Sequence, residues 1–478
     1  METITSEEMA VIDRNCEYYG LSTFQLMEAA GKGLADEVLK RFDSGKLCIF
    51  AGLGNNGGDS FVAARYLKDF EIDIFLMGRA NNIRTEIARR NFEVLKLSNY
   101  NVVEMVDSTM LDGIEDYDII IDGMLGTGVK GRLRQPYAKA VEKINSSKAF
   151  VVAVDVPTGL NPDTGEYVEA VKADLTVTFH KAKPGLLKAK EVVGEVVVKD
   201  IGIPKLLERL AGPGDVAKVY RRFRDSHKGM HGKVLIVGNE YTGAPALAAL
   251  AAYHTGVDIV TLAVPESIKN VVASFSPNLI VKSLKGEKLS LENLDEIVEL
   301  TKQHHVFVIG MGAGKYKEVV ELTNEVLKHA SKAVLDADVL VKGIEIPSNC
   351  ECILTPHKGE FKRLFGFDAN DVENVKNAAR NVNATILLKS SEDVISDGVR
   401  IRTNKSGNVG MTVGGTGDVL AGVVSAFFCL NDAFWSASAA AFVNGKAGDM
   451  CFEEMGYNYT AVDVIKKIPF AIKECLNL

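Results

Sequence analysis

Residues 51–60 read AGLGNNGGDS. They stand between a short apolar run, KLCIFAG at 46–52, and an apolar pattern at helical spacing, GDSFVAARYLKDF at 58–70. A strand, a glycine turn and a helix in that order open a dinucleotide-binding α/β unit, with Gly52-x-Gly54-x-x-Gly57 as the turn. The glycine spacing alone is weak, so its neighbours decide. Outward from it lie EIDIFLMG (71–78), DIIIDGMLG (118–126), AFVVAVDVPTG (149–159) and DLTVTFH (174–180), with helical patterns such as PYAKAVEKINSS (136–147) between them. This alternation predicts a mostly parallel, doubly wound sheet whose ligand binds beyond the carboxyl ends of the strands.

The stretch KLLERLAGPGDVAKVYRRFRDSHKGMHG (205–232) interrupts the series with Gly-Pro-Gly and a mixed charge run. A second series follows: GKVLIVGN (232–239), DIVTLAVP (258–265), HVFVIGMGAG (305–314), KAVLDADVL (332–340), CILTPHKGE (352–360) and TILLKSSED (385–393). Long helical segments from GTGDVLAGVVSAFF (415–428) close the chain. The expected architecture is two doubly wound α/β domains, an N-terminal Rossmann-like one at 1–213 and a C-terminal one at 225–478, joined by a linker at 214–224.

At 478 residues the chain is long enough for two full cores. A net charge of -8 and the lack of a basic stripe argue against nucleic acid as a partner. The beginning, METITSEEMAVIDRNCEYYG, lacks the apolar core of a signal peptide. The apolar stretch VLAGVVSAFFCL (419–430) is too short to span a membrane. Seven scattered cysteines point to a reducing cytoplasm, and the close pair Cys350 and Cys352 lacks the partners that a metal site needs.

A nicotinamide dehydrogenase places an acid after its second strand to bond the ribose, and here that strand ends at Gly78-Arg79. The turn instead carries Asn55, Asn56 and Asp59 beside Gly57 and Gly58, side-chain oxygens that suit a ligand or cation. Three further strand-end loops belong with it: 122–132, 154–161 and 180–185. The glycines offer close backbone amides, Lys130 and Arg132 can meet phosphates, and Asp155 can act as acid or base. Any one of these loops alone reads more readily as a solvated turn, but three of them together at strand ends speak against that reading.

GLGNNGGDS (52–60), DGMLGTGVKGR (122–132), VDVPTGLNPDTG (154–165) and FHKAKPGLLKAKEVVGEVVVKDIGIP (179–204) resemble, in order, the motifs of the NAD(P)H-hydrate epimerase family. Those enzymes interconvert the R and S forms of NAD(P)HX, the coenzyme hydrated at C6 of its nicotinamide. The resemblance implies substrate contact by Asn55, Asn56, Gly57, Gly58 and Asp59, by Gly126, Thr127, Gly128, Val129, Lys130, Gly131 and Arg132, and catalysis by Asp155. It also implies a potassium ion held by Asn56, Asp122 and Thr158, whose mixed neutral and carboxylate oxygens suit a weakly hydrated cation. Ser60 and Thr158 depart from the family's usual Gly and Ser without removing a needed group.

In the second series the sharpest motif is Gly414-Gly415-Thr416-Gly417-Asp418, a glycine turn running into the apolar helix VLAG. Free amides and the positive helix end can hold phosphate oxygens, and an acid there can take a proton from an attacking hydroxyl. The bland alternative is Asp418 as a helix N-cap. A P-loop is absent, since Gly310 to Lys315 has the wrong spacing and Tyr316 where Ser or Thr belongs. The domain resembles the ribokinase-like class. Within it, 227–257, VIGMGAG (308–314), VLDADVL (334–340), ILTPHKGEF (353–361), LLKSSEDVI (387–395) and NVGMTVGGTGDVLAG (408–422) resemble the NAD(P)H-hydrate dehydratase family.

In that family a nucleotide phosphorylates the ring hydroxyl, and loss of phosphate restores the reduced nicotinamide. The resemblance implies Asp418 as base, Lys389, Ser390, Ser391, Glu392, Asp393 and Gly417 at the nucleotide, and Ala244, Gly312 and His357 at the hydrated coenzyme. It further implies Mg2+ with ADP rather than ATP, because fused two-domain members are typically ADP-dependent, and a homo-oligomer. Asn239, Ser390 and Asn444 depart from the family pattern near the nucleotide pocket. A small-molecule kinase with a non-catalytic first domain is the alternative, and it requires a stable phosphorylated product instead of free phosphate.

Overall fold

The computed structural model describes residues 1–113, 116–126, 128, 131–223 and 225–477. The chain divides into two compact units, Met1–Glu208 and Arg209–Leu478.

The first unit is built on seven strands: β1 (Gly45–Ala51), β2 (Phe70–Leu76), β3 (Asn101–Glu104), β4 (Ile119–Gly123), β5 (Phe150–Val154), β6 (Leu175–Phe179) and β7 (Glu195–Lys199). Their order is β3-β2-β1-β4-β5-β6-β7, every pairing parallel. The order reverses between β1 and β4, and such a switch point opens a crevice at the carboxyl edge. Alternation along β1 divides the core. Leu47, Ile49 and Ala51 pack with helices Thr23–Leu39 and Asn55–Tyr66, while Cys48 and Phe50 pack with helix Tyr137–Ser146.

The second unit has nine strands: β8 (Lys233–Val237), β9 (Ile259–Pro265), β10 (Ile280–Leu284), β11 (Val306–Ile309), β12 (Lys332–Leu335), β13 (Glu351–Leu354), β14 (Thr385–Leu388), β15 (Asp393–Ser396) and β16 (Ile401–Asn404). Their order is β10-β9-β8-β11-β12-β13-β14-β15-β16, parallel through β14 and antiparallel at the last two pairings. One face of the sheet is covered by helices Gly243–Thr255, Thr416–Phe428 and Ala433–Met455. The first two cross so closely that a Cβ on Gly422 lies 2.1 Å from the Ala248 carbonyl oxygen, which fixes glycine there for packing alone.

The stretch expected as a linker differs in the structure. Gly-Pro-Gly starts helix Pro213–Val219, with Pro213 at the position where its missing amide costs nothing. Asp215 is fully buried in the second unit, accepting from Ser438 Oγ at 2.7 Å and facing Arg402 Nε at 3.5 Å. Burial of that charge pair ties the segment down, so the chain divides after Glu208 and not at 214–224.

Candidate active sites

In the first unit the loops after β1, β4, β5 and β6 meet at the switch point. A Cβ on Gly52 lies 1.7 Å from the Met124 carbonyl oxygen, so the first fingerprint glycine serves a crossing of two loops. Gly54 caps helix Asn55–Tyr66 without a side-chain bond and has open space before it. A cavity of about 280 Å³ is lined by Asp13, Asn55, Asn56, Asp59, Asp155 and Lys183, among others. That volume lies near the lower bound for a ligand pocket, roughly 300 Å³, and suits one end of a dinucleotide.

Asp155 follows β5 with φ +66°, a left-handed conformation that a non-glycine residue adopts at a cost. Its amide donates to Val177 O at 2.8 Å, and its Oδ1 accepts from Thr178 Oγ1 at 2.9 Å. Oδ1 also pairs with the buried ammonium of Lys183, which donates in turn to Thr178 Oγ1 at 3.1 Å and Phe179 O at 3.3 Å. The strained carboxylate is thus over-determined by β6 and the loop after it. Burial pushes the carboxyl of Asp59 well above its usual range, and Asp155 and Asp13 add to that.

Asp122, Thr158 and Asn56 converge near Leu125 and Gly126. Thr158 donates to Asp122 through its hydroxyl and its amide, both at 2.7 Å. Burial pushes the Asp122 carboxyl up to about 6, against the pull of those bonds. Asn56 donates its amide nitrogen to Val154 O at 2.7 Å, and its Oδ1 sits 2.4 Å from where a Gly126 Cβ would stand. A carboxylate, a hydroxyl and an amide oxygen are therefore gathered beside Gly126. This donor set fits a potassium ion.

Of the expected substrate contacts, Asn55, Asn56 and Asp59 line the cavity, and Gly57 and Gly58 lie buried in the first helical turn behind them. Gly128, Gly131 and Arg132 are exposed on the loop beyond Gly126. Thr127, Val129 and Lys130 lie outside the described residues. Lys183 stood in a loop of interest without a role, and Asp13 was not singled out. Lys183 is positioned by the strand-end loop after β6, whereas Asp13 carries no local signal because it reaches the cavity only through tertiary packing.

In the second unit the acid and base groups again sit past strand carboxyl ends. Asp336 follows β12, Thr355 and His357 follow β13, and Lys389 follows β14. Lys389 Nζ donates to Asp336 Oδ1 at 2.7 Å and lies 4.0 Å from Glu360 Oε2, while Thr355 Oγ1 donates to Asp336 Oδ1 at 2.8 Å. Gly415, at φ +98°, caps helix Thr416–Phe428 with no side-chain bond, and Asp418 is the third residue of that helix and not its N-cap. Thr416 Oγ1 is turned away to Met411 O at 2.7 Å. The nearest atom to a Cβ on Gly417 is Lys389 Nζ at 3.4 Å, so an ammonium stands at an open helix N-terminus. That is the electrostatics of an anion site. Burial pushes the Asp418 carboxyl up to about 7, with Asp336 adding to the shift and Lys389 opposing it.

His357 is the N-cap of helix Lys358–Phe365: its Nδ1 accepts from Gly359 N at 2.9 Å and Glu360 N at 3.2 Å, leaving the ring edge exposed. The loop from Lys389 folds back on itself. Ser390 N donates to Asp393 Oδ1 at 3.0 Å and Asn404 Nδ2 donates to Asp393 Oδ2 at 3.0 Å, so Asp393 shapes the turn while Ser391 and Glu392 are exposed. Ala244 stands in the first turn of helix Gly243–Thr255 and Gly312, at φ +65°, in the loop after β11. Asn239 bridges the neighbouring loops, donating to Ala313 O at 2.7 Å and accepting from Leu289 N at 2.9 Å, which accounts for an amide where a glycine is usual.

Residues 233–470 match the family model of NAD(P)H-hydrate dehydratase, and residues 23–185 match that of the YjeF-related protein N-terminus. The chain is 60% identical over 476 residues to the bifunctional NAD(P)H-hydrate repair enzyme Nnr of Archaeoglobus fulgidus, covering 99% of each chain. It is 42% identical to the enzyme of that name from Methanothermobacter thermautotrophicus, covering 97% of this chain and 94% of the relative. In fold, 56% of the chain is similar to 96% of a ribokinase-like superfamily protein from Enterococcus faecalis, at a TM-score of 0.50 and 21% identity.

Proposed function

The chain belongs to the bifunctional NAD(P)H-hydrate repair enzymes, and from that premise we propose how its two sites divide the work. It repairs hydrated nicotinamide coenzymes, with an epimerase first domain and a dehydratase second domain. If the dehydratase takes only the S form, epimerisation on the same chain brings the R form into reach.

At the second site the S-NAD(P)HX ring hydroxyl attacks the β-phosphorus of ADP. Asp418 takes the hydroxyl proton, and the uncapped amides of residues 416–418 with Lys389 hold the phosphate oxygens that gain charge. AMP leaves, and elimination of phosphate from the ring restores the dihydronicotinamide. The observation that carries this reading is Lys389 beside the open helix N-terminus with Asp418 one turn inside it. Asp336 and Glu360, the carboxylates beside Lys389, would hold Mg2+ together with the nucleotide phosphates, and the ion would neutralise charge on those phosphates. Gly417, Ser391 and Glu392 meet the nucleotide, and Ala244, Gly312 and the ring edge of His357 meet the coenzyme.

At the first site Asp155, paired with Lys183, moves a proton at the C6 hydroxyl while Asn55, Asn56, Asp59 and the 126–132 loop hold the coenzyme. Asn56, Asp122 and Thr158 would hold potassium, which would supply positive charge at this site. Cytoplasmic residence and assembly as a homo-oligomer complete the proposal. The seven cysteines are free and buried, and no helix among the described residues is long and apolar enough to cross a membrane.

The test follows S-NADPHX, ADP and magnesium by absorbance of reduced nicotinamide and by product analysis. The reading requires one AMP and one free phosphate per NADPH formed. A stable phosphorylated coenzyme, with no NADPH, contradicts it.

A further inference from the structure

The cavity of the first unit contains one carboxyl group that the reading above leaves idle. Asp13 lies on helix Ser6–Tyr18, ahead of the first strand, and lines the same cavity as Asp155, Asp59 and Lys183. Its placement is built. Thr5 and Glu8 form a capping box at the start of the helix, Ser6 N donates to Asp163 Oδ1 at 2.9 Å, and Ile4 N donates to Ala182 O at 2.9 Å. The helix is therefore tied to the residue next to Lys183. Val11, Ile12, Asn15 and Cys16 bury the other positions around Asp13. These bonds and buried side chains hold the segment without Asp13, and no hydrogen bond among the described residues engages the Asp13 carboxyl.

Inverting C6 of a hydrated nicotinamide moves oxygen from one face of the ring to the other. One carboxyl group at one face serves only half of that exchange. We propose that Asp13 is the second proton-transfer group of the epimerase, paired with Asp155 across the reacting carbon; the proposal rests on the epimerase reading of this domain. In one direction Asp13 gives its proton to the C6 hydroxyl, the C6–O bond breaks, water departs, and the ring nitrogen's lone pair forms a C6=N1 iminium. Water then adds to the opposite face, a new C6–O bond forms, and its proton passes to Asp155. Reversal exchanges the two roles, as microscopic reversibility demands. No electrons are gained or lost, and exchange with solvent resets the proton.

The groups that face Asp13 support such a pair. They are Lys183, Asp155 and His180 from β6 and its flanking loops, Asp59 from helix Asn55–Tyr66, and Cys16 from its own helix. Burial pushes the Asp13 carboxyl up to about 6, with Lys183 opposing and Asp155 adding to the shift. A carboxyl that titrates near neutrality can give and take a proton readily.

The experiment measures R-to-S interconversion of NADPHX by the full chain without nucleotide, for wild type, Asp13→Asn, Asp13→Glu and Asp155→Asn. Asp13→Asn is expected to lower kcat by about 100-fold with KM within about threefold, the scale of a lost acid/base group. The wild-type rate falls above pH 6 and Asp13→Asn loses that limb, Asp13→Glu recovers part of the rate, and ADP-dependent dehydration of S-NADPHX stays at the wild-type level as proof of folding. An Asp13→Asn kcat within about threefold of wild type overturns the proposal, as does a lowered rate with an unchanged pH profile. A wild-type chain that fails to interconvert the epimers overturns the epimerase reading itself, and this proposal with it.

Discussion

Lys389 Nζ donates to Asp336 Oδ1 at 2.7 Å, and Asp336 is all but fully buried. The pair holds an ammonium at the mouth of the helix that carries Asp418, so one ion pair links the fold of the second unit to its chemistry.

Removing the ammonium therefore has two separable effects. Lys389→Met leaves Asp336 buried without its partner, a loss of about 3–5 kcal/mol in comparable pairs, and lowers dehydratase kcat/KM by about 10²- to 10³-fold through the phosphate. The double variant Lys389→Met, Asp336→Asn recovers stability in urea unfolding and recovers no activity.

Asp418 sets the pH dependence of dehydration. As a base it must be deprotonated, so kcat/KM rises as pH passes through about 7, where its carboxyl titrates. Stability moves oppositely. The folded state binds this proton more tightly than the unfolded chain, so the contribution of Asp418 to stability falls as pH rises from the usual carboxylate range through 7. Asp418→Asn is expected to melt above wild type by a wide margin at pH 8 and by a smaller one at pH 5, with dehydration down about 10²- to 10⁴-fold. Calorimetry at the two pH values checks the sign.

Lys183 is the only cation in hydrogen-bond contact with Asp155 among the described residues. Lys183→Met lowers epimerisation by about 10²-fold by releasing the strained carboxylate from its working position, and leaves dehydration of S-NADPHX unchanged. Steady-state assays of both activities on one preparation separate this from misfolding.

Potassium dependence belongs to the first site. Thr158→Ala removes the hydroxyl that bonds Asp122 at 2.7 Å. The variant needs about tenfold more potassium for half-maximal epimerisation, the scale of a lost ligand or its support. Titration of epimerase rate with potassium in a choline background measures it, and a wild type indifferent to potassium contradicts the assignment.

The central strands were legible because burial on both faces writes them as apolar runs: β1, β4, β5, β8, β11, β12, β13 and β14 all overlap stretches picked out by that pattern, to within one residue at the start of β1 and β13. The outer strands β3, β7 and β10 and the antiparallel pair β15 and β16 did not stand out, since they are short, partly exposed and mixed in polarity. Gly-Pro-Gly at 212–214 read as a break leading into a linker because the burial of Asp215 against Ser438 and Arg402 is invisible in local sequence. In the sites, the residues on strand-end loops were readable and those brought by packing were not. Asp13 sits on a helix far from any motif, and His357 reads as a contact although its Nδ1 is spent on a helix cap.

The most direct measurement uses an equal mixture of R- and S-NADPHX with ADP, magnesium and potassium, and compares wild type, Asp155→Asn and Asp418→Asn. Wild type restores the whole pool to NADPH. Asp155→Asn stops after the S half, apart from slow spontaneous epimerisation, and mixing it with Asp418→Asn completes the recovery because each chain supplies the site the other lacks. Full recovery by Asp155→Asn alone at the wild-type rate, or a mixture that stalls at the S half, contradicts two separate active sites centred on these two carboxyl groups.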